Sequence, residues 1–316
     1  MNENFKLGIS TCLMGESVRY DGGHKLDRYL VNILGKYIDY VPVCPEVESG
    51  FSIPREAFRL VGDPDNPRLI TVRSKVDYTE KMVNWAKKRV IELESENLCG
   101  FIFKSKSPSS GYRNVKVYNE KGMPIKKGVG IFARIFTEHF PLLPAEDEGR
   151  LNDDRIRENF IERIFVMKRW RDYQEHNPNL GGLVDFHTKH KLLILSHSQT
   201  HYRKLGRLVA EAKKQSLANV LNNYLEILLN ALELKTTVKK NINVLQHLLG
   251  YFKKNLSSDE KQEMLELIEN YKNGYIPLIV PITLFNHFSR KFDENYLKQQ
   301  YYLNPHPLEL KLRNHV

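Results

Sequence analysis

The first 150 residues alternate between short apolar runs and amphipathic segments, and this alternation predicts strands and helices in turn. The apolar runs predict five buried strands, at residues 5–10, 38–43, 100–104, 115–118 and 130–136. Apolar residues at helical spacing predict helices over 25–36 and 77–97. Strands that alternate with helices indicate an α/β domain with a mostly parallel sheet.

From residue 183 onward, helical periodicity dominates and strand signals almost disappear. The pattern predicts five helices, at about 183–215, 217–235, 239–254, 258–273 and 281–291. An acidic stretch at 146–154, a helical pattern at 155–175 and turn-forming residues at 176–182 separate the two regions. We therefore predict an α/β domain over residues 1–150, a connecting helix and linker over 151–182, and an all-helical domain over 183–316.

The chain carries a formal net charge of +10, and residues 183–316 hold 19 Lys and Arg against 12 Asp and Glu. Such a surplus favours polyanionic partners, nucleic acid above all, although proteins without such partners also carry it. The chain begins without the apolar stretch of a signal peptide and has no apolar run long enough to span a membrane. These features predict a cytoplasmic protein without a membrane partner.

Only three cysteines occur: Cys12, Cys44 and Cys99. This number argues against a disulfide framework and fits a reducing compartment. No two of them form a Cys-x-x-Cys pair, which argues against a zinc ribbon.

Three polar segments each follow a predicted strand of the first domain. They are Ser10–Gly15 with Arg19–Gly23, Val43–Glu46, and Lys104–Gly111. Ligands of an open α/β sheet bind outside the carboxyl ends of its strands, so these segments are expected to converge there.

The side chains of these segments indicate several kinds of chemistry. The thiols of Cys12 and Cys44 can ligate a soft metal or cluster, and Glu46 can act as a general acid or base. The loop rich in Ser and Lys can also cradle a phosphate. In the alternative interpretation, both cysteines simply pack at the ends of strands.

The motifs of these segments resemble the TudS-type thiouracil desulfidase family over about residues 5–145. The matching residues are Cys12–Gly15, Arg19–Gly22, Val43–Glu46 with Gly50 and Pro54-Arg55, and Lys104–Ser109. The resemblance implies a 4Fe-4S cluster that is held by three cysteines and leaves one iron open for the sulfur of a thiolated pyrimidine. Water then replaces that sulfur, and sulfide is released. By this match Cys12 and Cys44 are cluster ligands, Glu46 is the acid or base, and Ser107 positions the substrate or transfers a proton.

One position departs from the family. The motif ends in Ser-Pro-Ser-Cys-Gly and its cysteine is the third ligand, but here that position is Ser110. Ser110 then ligates as an alkoxide, another group replaces it, or the domain no longer holds a complete cluster. Cys99 is a poor substitute, because at about 3.3 Å per residue its strand separates it from the loop by more than ~10 Å.

The second half resembles the YbgA-type domain from about residue 183 to the C-terminus. The matching residues are Leu183, Phe186-His187, Lys191, His197, Asn243–His247, Gly250–Lys253, Pro277–Pro281, His287, Pro305–Pro307 and Leu312–Asn314. The resemblance implies binding of nucleic acid or tRNA, and the fused chain resembles enzymes that remove sulfur from 4-thiouridine in tRNA.

Two further features of the second half bear on its role. A polar stripe on one predicted helix face suits base stacking and phosphate contact, and it comprises Asn243, His247, Tyr251 and Lys254. The pairs His187/His190 and His197/His201 have the spacing of helical metal ligands, although such histidines more often cap or pack.

Three functions therefore remain open from the sequence. The first is an iron–sulfur desulfidase that acts on a thiolated uracil, as a free base or in tRNA. The second is a non-catalytic RNA-binding protein whose cluster site has decayed, and the third is a nucleotide-binding enzyme built on the Ser/Lys loop.

Overall fold

The computed structural model of the chain describes residues 5–119 and 121–315. The chain divides into two compact units, Met1–Asp153 and Asp154–Val316. The first unit is α/β and the second consists mostly of helices, which confirms the predicted fold class. The second unit includes the helix Asp154–His176, which the sequence analysis assigned to the connecting segment.

Two four-stranded sheets make up the first unit. The strands are β1 (Phe5–Ser10), β2 (Ile38–Val43), β3 (Phe58–Val61), β4 (Arg68–Thr71), β5 (Phe101–Phe103), β6 (Val115–Tyr118), β7 (Pro124–Gly128) and β8 (Ala145–Asp147). The first sheet has the order β2-β1-β5-β8, and all its strands are parallel. The second sheet has the order β4-β3-β6-β7 and is mixed, because only β3 and β6 are parallel.

The described helices of this unit are α1 (Arg28–Asn32), α2 (Pro45–Glu48), α3 (Thr79–Glu94) and α4 (Ile131–His139). The strand predicted at 130–136 is therefore wrong, because this apolar segment forms α4. Its first amide groups donate to chain positions far away: Ile131 to the carbonyl of Pro108, and Phe132 and Ala133 to the carbonyl of Ser109. A short apolar run cannot reveal such a cap, and periodicity alone does not separate a buried strand from a buried helix.

Helices α3 and α4 pack against both sheets. An aromatic cluster joins them to the first sheet, in which Phe101 and Phe103 of β5 contact Phe132 and Phe136 of α4. A second cluster joins them to one face of the other sheet, through residues that include Leu60, Val115 and Val117. The two clusters fix the loop between β5 and β6 relative to both sheets.

The second unit contains eight described α-helices. They are α5 (Asp154–His176), α6 (Leu180–His197), α7 (Gln199–Ala210), α8 (Leu217–Glu233), α9 (Val238–Tyr251), α10 (Ser258–Lys272), α11 (Ile279–Lys291) and α12 (Asn295–Lys298). The helix predicted over 183–215 is interrupted at Ser198, which is extended and whose side chain accepts from the amide of His201. Among the described helices, none has the length and apolar character that a membrane crossing requires.

An ionic cluster lies in the core of this unit. The guanidinium of Arg313 donates to Glu162 at 2.7 Å and lies 3.5 Å from Glu158, and all three side chains are buried. The ring of His197 contacts Glu162 at 3.1 Å and the carbonyl of Leu234 at 2.7 Å. Because Arg313 is near the end of the chain, the cluster fastens the C-terminal segment to α5 and α6.

Candidate active site at the strand ends

The three segments singled out in the sequence meet at one edge of the first sheet. Strands β2, β1 and β5 are neighbours and parallel, so their carboxyl ends lie side by side. A cavity of about 420 Å³ opens there. Its lining includes Cys12, Cys44, Glu46, Ser107 and Ser110.

Cys12 and Cys44 are held by the turns that end β1 and β2. Cys12 lies in a 3-10 turn, Thr11–Met14, whereas Cys44 is the N-cap of α2. The Cys44 amide donates to Glu48 at 2.8 Å. Burial raises the pKa of the Cys12 thiol to about 11 and that of the Cys44 thiol to about 12, and the carboxylate of Glu46 adds to both shifts. Both groups are therefore protonated thiols until a cation binds them.

Glu46 lies between a hydroxyl and a guanidinium. The hydroxyl of Ser109 donates to Glu46 Oε1 at 2.5 Å, and Arg55 Nη2 lies 3.9 Å from Glu46 Oε2. Arg55 is fixed in turn, because both of its terminal nitrogens donate to the carbonyl of Val18 at 3.1 Å. These contacts leave Glu46 as an oriented carboxylate at the cavity wall.

Ser107, the serine predicted from the motif, is connected to Ser109 in the structure. Their hydroxyl oxygens are 2.9 Å apart. Ser107 Oγ accepts from the amides of Ser109 and Ser110, and Ser109 uses its own proton to donate to Glu46. Because a hydroxyl has only one proton and that of Ser109 is donated to Glu46, the hydrogen bond between the two serines must be donated by Ser107. A chain of hydrogen bonds, or relay, therefore runs from Ser107 at the cavity wall through Ser109 to Glu46. The sequence gives no sign that Ser109 contacts Glu46, because the two residues are 63 positions apart. Only their distance in the structure shows this contact.

Ser110, the position at which the resemblance led us to expect a third cysteine, lines the cavity. Its hydroxyl makes no hydrogen bond within the described part of the chain. The backbone around it is closely packed, because a Cβ on Gly111 would lie 2.6 Å from the carbonyl oxygen of Ser107 and one on Gly130 would lie 2.5 Å from that of Ser109. The packed loop presents the Ser110 side chain to the cavity.

Cys99 does not join this group. It is buried just before β5, at the opposite end of the strand from the loop, and its amide donates to the carbonyl of Lys6. It is absent from the lining of the cavity. Among the described residues, no three His, Cys, Asp or Glu side chains form a group that could hold a metal ion.

The loop from Lys104 to Gly111 is occupied by its own contacts. Lys104 pairs with Glu148, which also accepts from the amide and hydroxyl of Ser105. The amides of Ser109, Ser110 and Gly111 donate to Ser107. A phosphate cradle needs amides that are open to the ligand, so the bonded amides of Ser105, Ser109, Ser110 and Gly111 cannot contribute to one.

Three of the four residues of the predicted RNA-binding stripe lie on α9. Asn243, His247 and Tyr251 belong to the helix, whereas Lys254 lies in the turn beyond its end. The ring of Tyr251 stacks on that of Tyr296, with centroids 5.2 Å apart. Placing Lys254 on the helix face was wrong, because the helix ends at Tyr251.

The paired histidines of the second unit have hydrogen-bond partners. His187 contacts the hydroxyl of Tyr224, and His190 contacts Arg169 and the carbonyl of Phe186. His201 contacts the hydroxyl of Ser198. Together with the contacts of His197, these bonds make the histidines packing groups of the helical unit.

The parallel sheet with polar loops at its carboxyl edge defines a class of α/β proteins that act on small ligands at strand ends. The family described as 2-thiouracil desulfurase matches residues 7–148, and DUF1722, a family of unknown function, matches residues 191–307. The chain therefore belongs to the 2-thiouracil desulfurase family through its first unit and to the DUF1722 family through its second, which confirms both resemblances and their fusion.

Two individual relatives agree with this division. The uncharacterized protein YbgA of Escherichia coli K12 is 32% identical over 165 residues, which make up 52% of this chain and 98% of YbgA. The uncharacterized protein YbbK of Bacillus subtilis 168 is 32% identical over 150 residues, 46% of this chain and 97% of YbbK. A solved structure of the 4Fe-4S-dependent thiouracil desulfidase TudS is 26% identical, with a TM-score of 0.40 over 48% of this chain and 95% of that one.

Proposed function

We propose that the protein removes sulfur from a thiolated uracil, as free thiouracil or as 4-thiouridine in tRNA, and releases sulfide. The observation that carries the proposal is the lining of one cavity by Cys12, Cys44 and Ser110, with the oriented carboxylate of Glu46 beside them. Membership in the 2-thiouracil desulfurase family supports the same chemistry.

The donor set fits an iron–sulfur cluster at two of its three positions. Cys12 and Cys44 supply thiolates, which are the ligands that such clusters prefer. Ser110 supplies a harder oxygen, so the third contact is expected to be weaker. We propose that these three residues hold a 4Fe-4S cluster, which when bound would supply a soft Lewis acid for the sulfur of the substrate.

The protein's own residues supply the proton transfers. The reaction adds water to the carbon that bears sulfur and breaks the carbon–sulfur bond, so that a thiocarbonyl and water become a carbonyl and hydrogen sulfide. Glu46, as a carboxylate, takes a proton from the attacking water and returns it to the departing sulfur. Ser107 and Ser109 connect Glu46 to the cavity wall, and they can pass a proton to or from the ring.

For a tRNA substrate, we propose that the helical unit contributes binding. The net positive charge of residues 183–316 and the side chains of Asn243, His247, Tyr251 and Lys254 support this role. Tyr251 is 43% exposed, which leaves part of its ring available to a base.

One observation favours a second function. Ser110 offers an oxygen where a cluster prefers a thiolate, so we expect a weaker cluster site. A chain that holds no cluster would act as a non-catalytic RNA-binding protein.

Anaerobic reconstitution with iron and sulfide separates the two functions. If the protein is a desulfidase, we expect a stable cluster absorption and the release of sulfide from 2-thiouracil, 4-thiouracil or a tRNA that contains 4-thiouridine. A colourless protein that binds tRNA without releasing sulfide would establish the second function instead. A comparison of the free bases with the tRNA identifies the substrate.

A further inference from the structure

A wide basic groove lies next to the candidate active site in the α/β unit. Its volume is about 1030 Å³, and its floor is the face of the second sheet opposite the apolar cluster. Among its described lining residues, the basic side chains outnumber the one acidic side chain, Asp147. The basic residues are Arg59, Lys106, Arg113, Lys116, Lys126 and Arg150.

The sheet itself explains why these side chains share one face. Leu60, Val115 and Val117 point into the apolar cluster. Because side chains alternate along a strand, Arg59 on β3 and Lys116 on β6 point the other way. Lys126 on β7 pairs directly with Lys116, so it lies on the same face.

The clustering of basic side chains on this face lowers the stability of the folded protein. Like charges directly opposite each other on neighbouring strands are destabilising, and Lys116 and Lys126 make no ion pair within the described residues. The Nε of Arg59 is buried without a hydrogen-bond partner, while its guanidinium lies 5.3 Å from the centre of the Tyr118 ring. An anionic partner would relieve the repulsion, and Tyr118 would offer a surface for stacking.

The groove and the candidate active site adjoin each other. Phe58, Ser105, Lys106 and Pro108 line both cavities. A polymer whose backbone follows the groove could therefore place one of its bases beside Glu46. Phosphates along basic side chains and bases on aromatic rings are the contacts that single-stranded nucleic acids make.

We infer that this groove binds the backbone of a single-stranded RNA segment and guides a base into the candidate active site. The inference rests on the proposed function, since a thiolated uracil within a polymer is a base of RNA. It assigns phosphate binding to the α/β unit, in addition to any binding by the helical unit.

The test compares three double variants of the full chain. Lys116→Gln with Lys126→Gln removes two charges from the groove, whereas Lys116→Arg with Lys126→Arg keeps them. Lys87→Gln with Lys88→Gln is the matched control, because these exposed lysines on α3 line neither cavity. Binding of a labelled, unmodified 12-nucleotide oligouridine is measured by fluorescence anisotropy between 50 and 200 mM salt.

Each phosphate contact to a single strand contributes about 0.7 to the slope of log affinity against log salt. The glutamine pair in the groove is therefore expected to reduce the slope by about 1.4 and to weaken binding on the order of 10- to 30-fold at 0.1 M salt. The arginine pair and the control should bind like the wild type. Equal slopes for the groove and control glutamine pairs would overturn the inference.

Sulfide release from free 2-thiouracil keeps the two proposals apart. The groove variants should retain the wild-type rate on the free base, which needs no phosphate contact. A wild type that releases no sulfide would refute the proposed function, while the salt slopes would still decide whether the groove binds RNA.

Discussion

The hydroxyl of Ser109 donates a 2.5 Å hydrogen bond to Glu46, across 63 positions of sequence. Ser109 is fully buried, whereas its neighbour in the relay, Ser107, lines the cavity. The pair therefore links the cavity to the carboxylate and fixes its rotamer, which is the arrangement that a positioned acid or base requires.

Removal of the carboxylate charge should abolish most of the activity. We expect Glu46→Gln to lower kcat for thiouracil by about 10²- to 10⁴-fold, because an amide cannot take the proton from water. Glu80→Gln is the matched control: Glu80 is exposed in the first turn of α3 and does not line the cavity, so this variant should stay within a few-fold of wild type. Equal effects of the two substitutions would remove Glu46 from the mechanism.

Interruption of the relay should have a smaller effect. Ser109→Ala leaves Glu46 Oε1 without its donor, so we expect kcat to fall about 10-fold while KM changes little. Steady-state kinetics with thiouracil measures both quantities, and Ser52→Ala, an exposed serine outside the cavity, serves as the control. An unchanged kcat would mean that the relay is only structural.

Restoration of the third thiol should strengthen the cluster site. Ser110→Cys replaces a hard oxygen with a soft sulfur on a fixed backbone, so iron per chain and cluster absorption after anaerobic reconstitution should both rise. Cys99→Ala is the control and should leave both unchanged, since Cys99 lies outside the cavity. If Ser110→Cys gains no iron, the remainder of the pocket has also lost its capacity to hold a cluster.

The packing of the loop against α4 makes a prediction for stability. Gly130→Ala would place a Cβ 2.5 Å from the Ser109 carbonyl, so it should destabilise the α/β unit by about 1–3 kcal/mol. Gly250→Ala provides the opposite case, because an added Cβ meets nothing within 4 Å on α9 and should stabilise the helical unit by about 0.5–1 kcal/mol. Denaturant unfolding measures both, and the same sign for both variants would contradict the packing argument.

The buried ionic cluster predicts a pH dependence for the helical unit. Burial and the neighbouring carboxylate of Glu162 raise the pKa of Glu158 to about 7, against the opposing charge of Arg313. Between about pH 4.5 and 7 the unfolded chain has lost this proton while the folded one retains it, so stability contributed by this group falls as pH rises.

Glu158→Gln should flatten that fall, since an amide resembles the protonated acid at every pH. Thermal unfolding of the two proteins between pH 4.5 and 7 measures the difference. Glu263→Gln, on the exposed face of α10, should keep the wild-type slope. If Glu158→Gln also keeps it, Glu158 is already ionised in the folded protein.

Long, strongly patterned elements could be predicted from the sequence. Strands β1 and β2 were predicted with the bounds that the structure has, and α3 was predicted to within three residues at either end. Strand β7 was missed because four of its five residues are exposed and show no alternation. Helix α4 was predicted as a strand because its caps come from a loop more than 20 residues earlier.

The sequence could predict which residues meet at the site, because strand topology decides this, but not the contacts between them. Residues that follow neighbouring parallel strands must share an edge, so the meeting of Cys12, Cys44 and Ser110 followed from the strand pattern. The partners of Glu46 did not follow, because the distances to Ser109 and Arg55 depend on how the turns fold after the strands end. Of the second sheet, only β6 was predicted from the sequence. Neither the existence of this sheet nor the basic face that it presents followed from the sequence.

The amides at the start of α4 are capped by the same loop that presents Ser110. A shift of the Pro108 and Ser109 carbonyls toward a ligand would lengthen these capping hydrogen bonds, and the helix they cap contributes to the aromatic cluster. Serine and cysteine differ by one atom, so an exchange at position 110 would change the donor from oxygen to sulfur while the capping contacts, which the backbone makes, stay possible. The preference of this place for a soft or a hard metal would therefore depend on a single side chain, separately from the backbone that carries it.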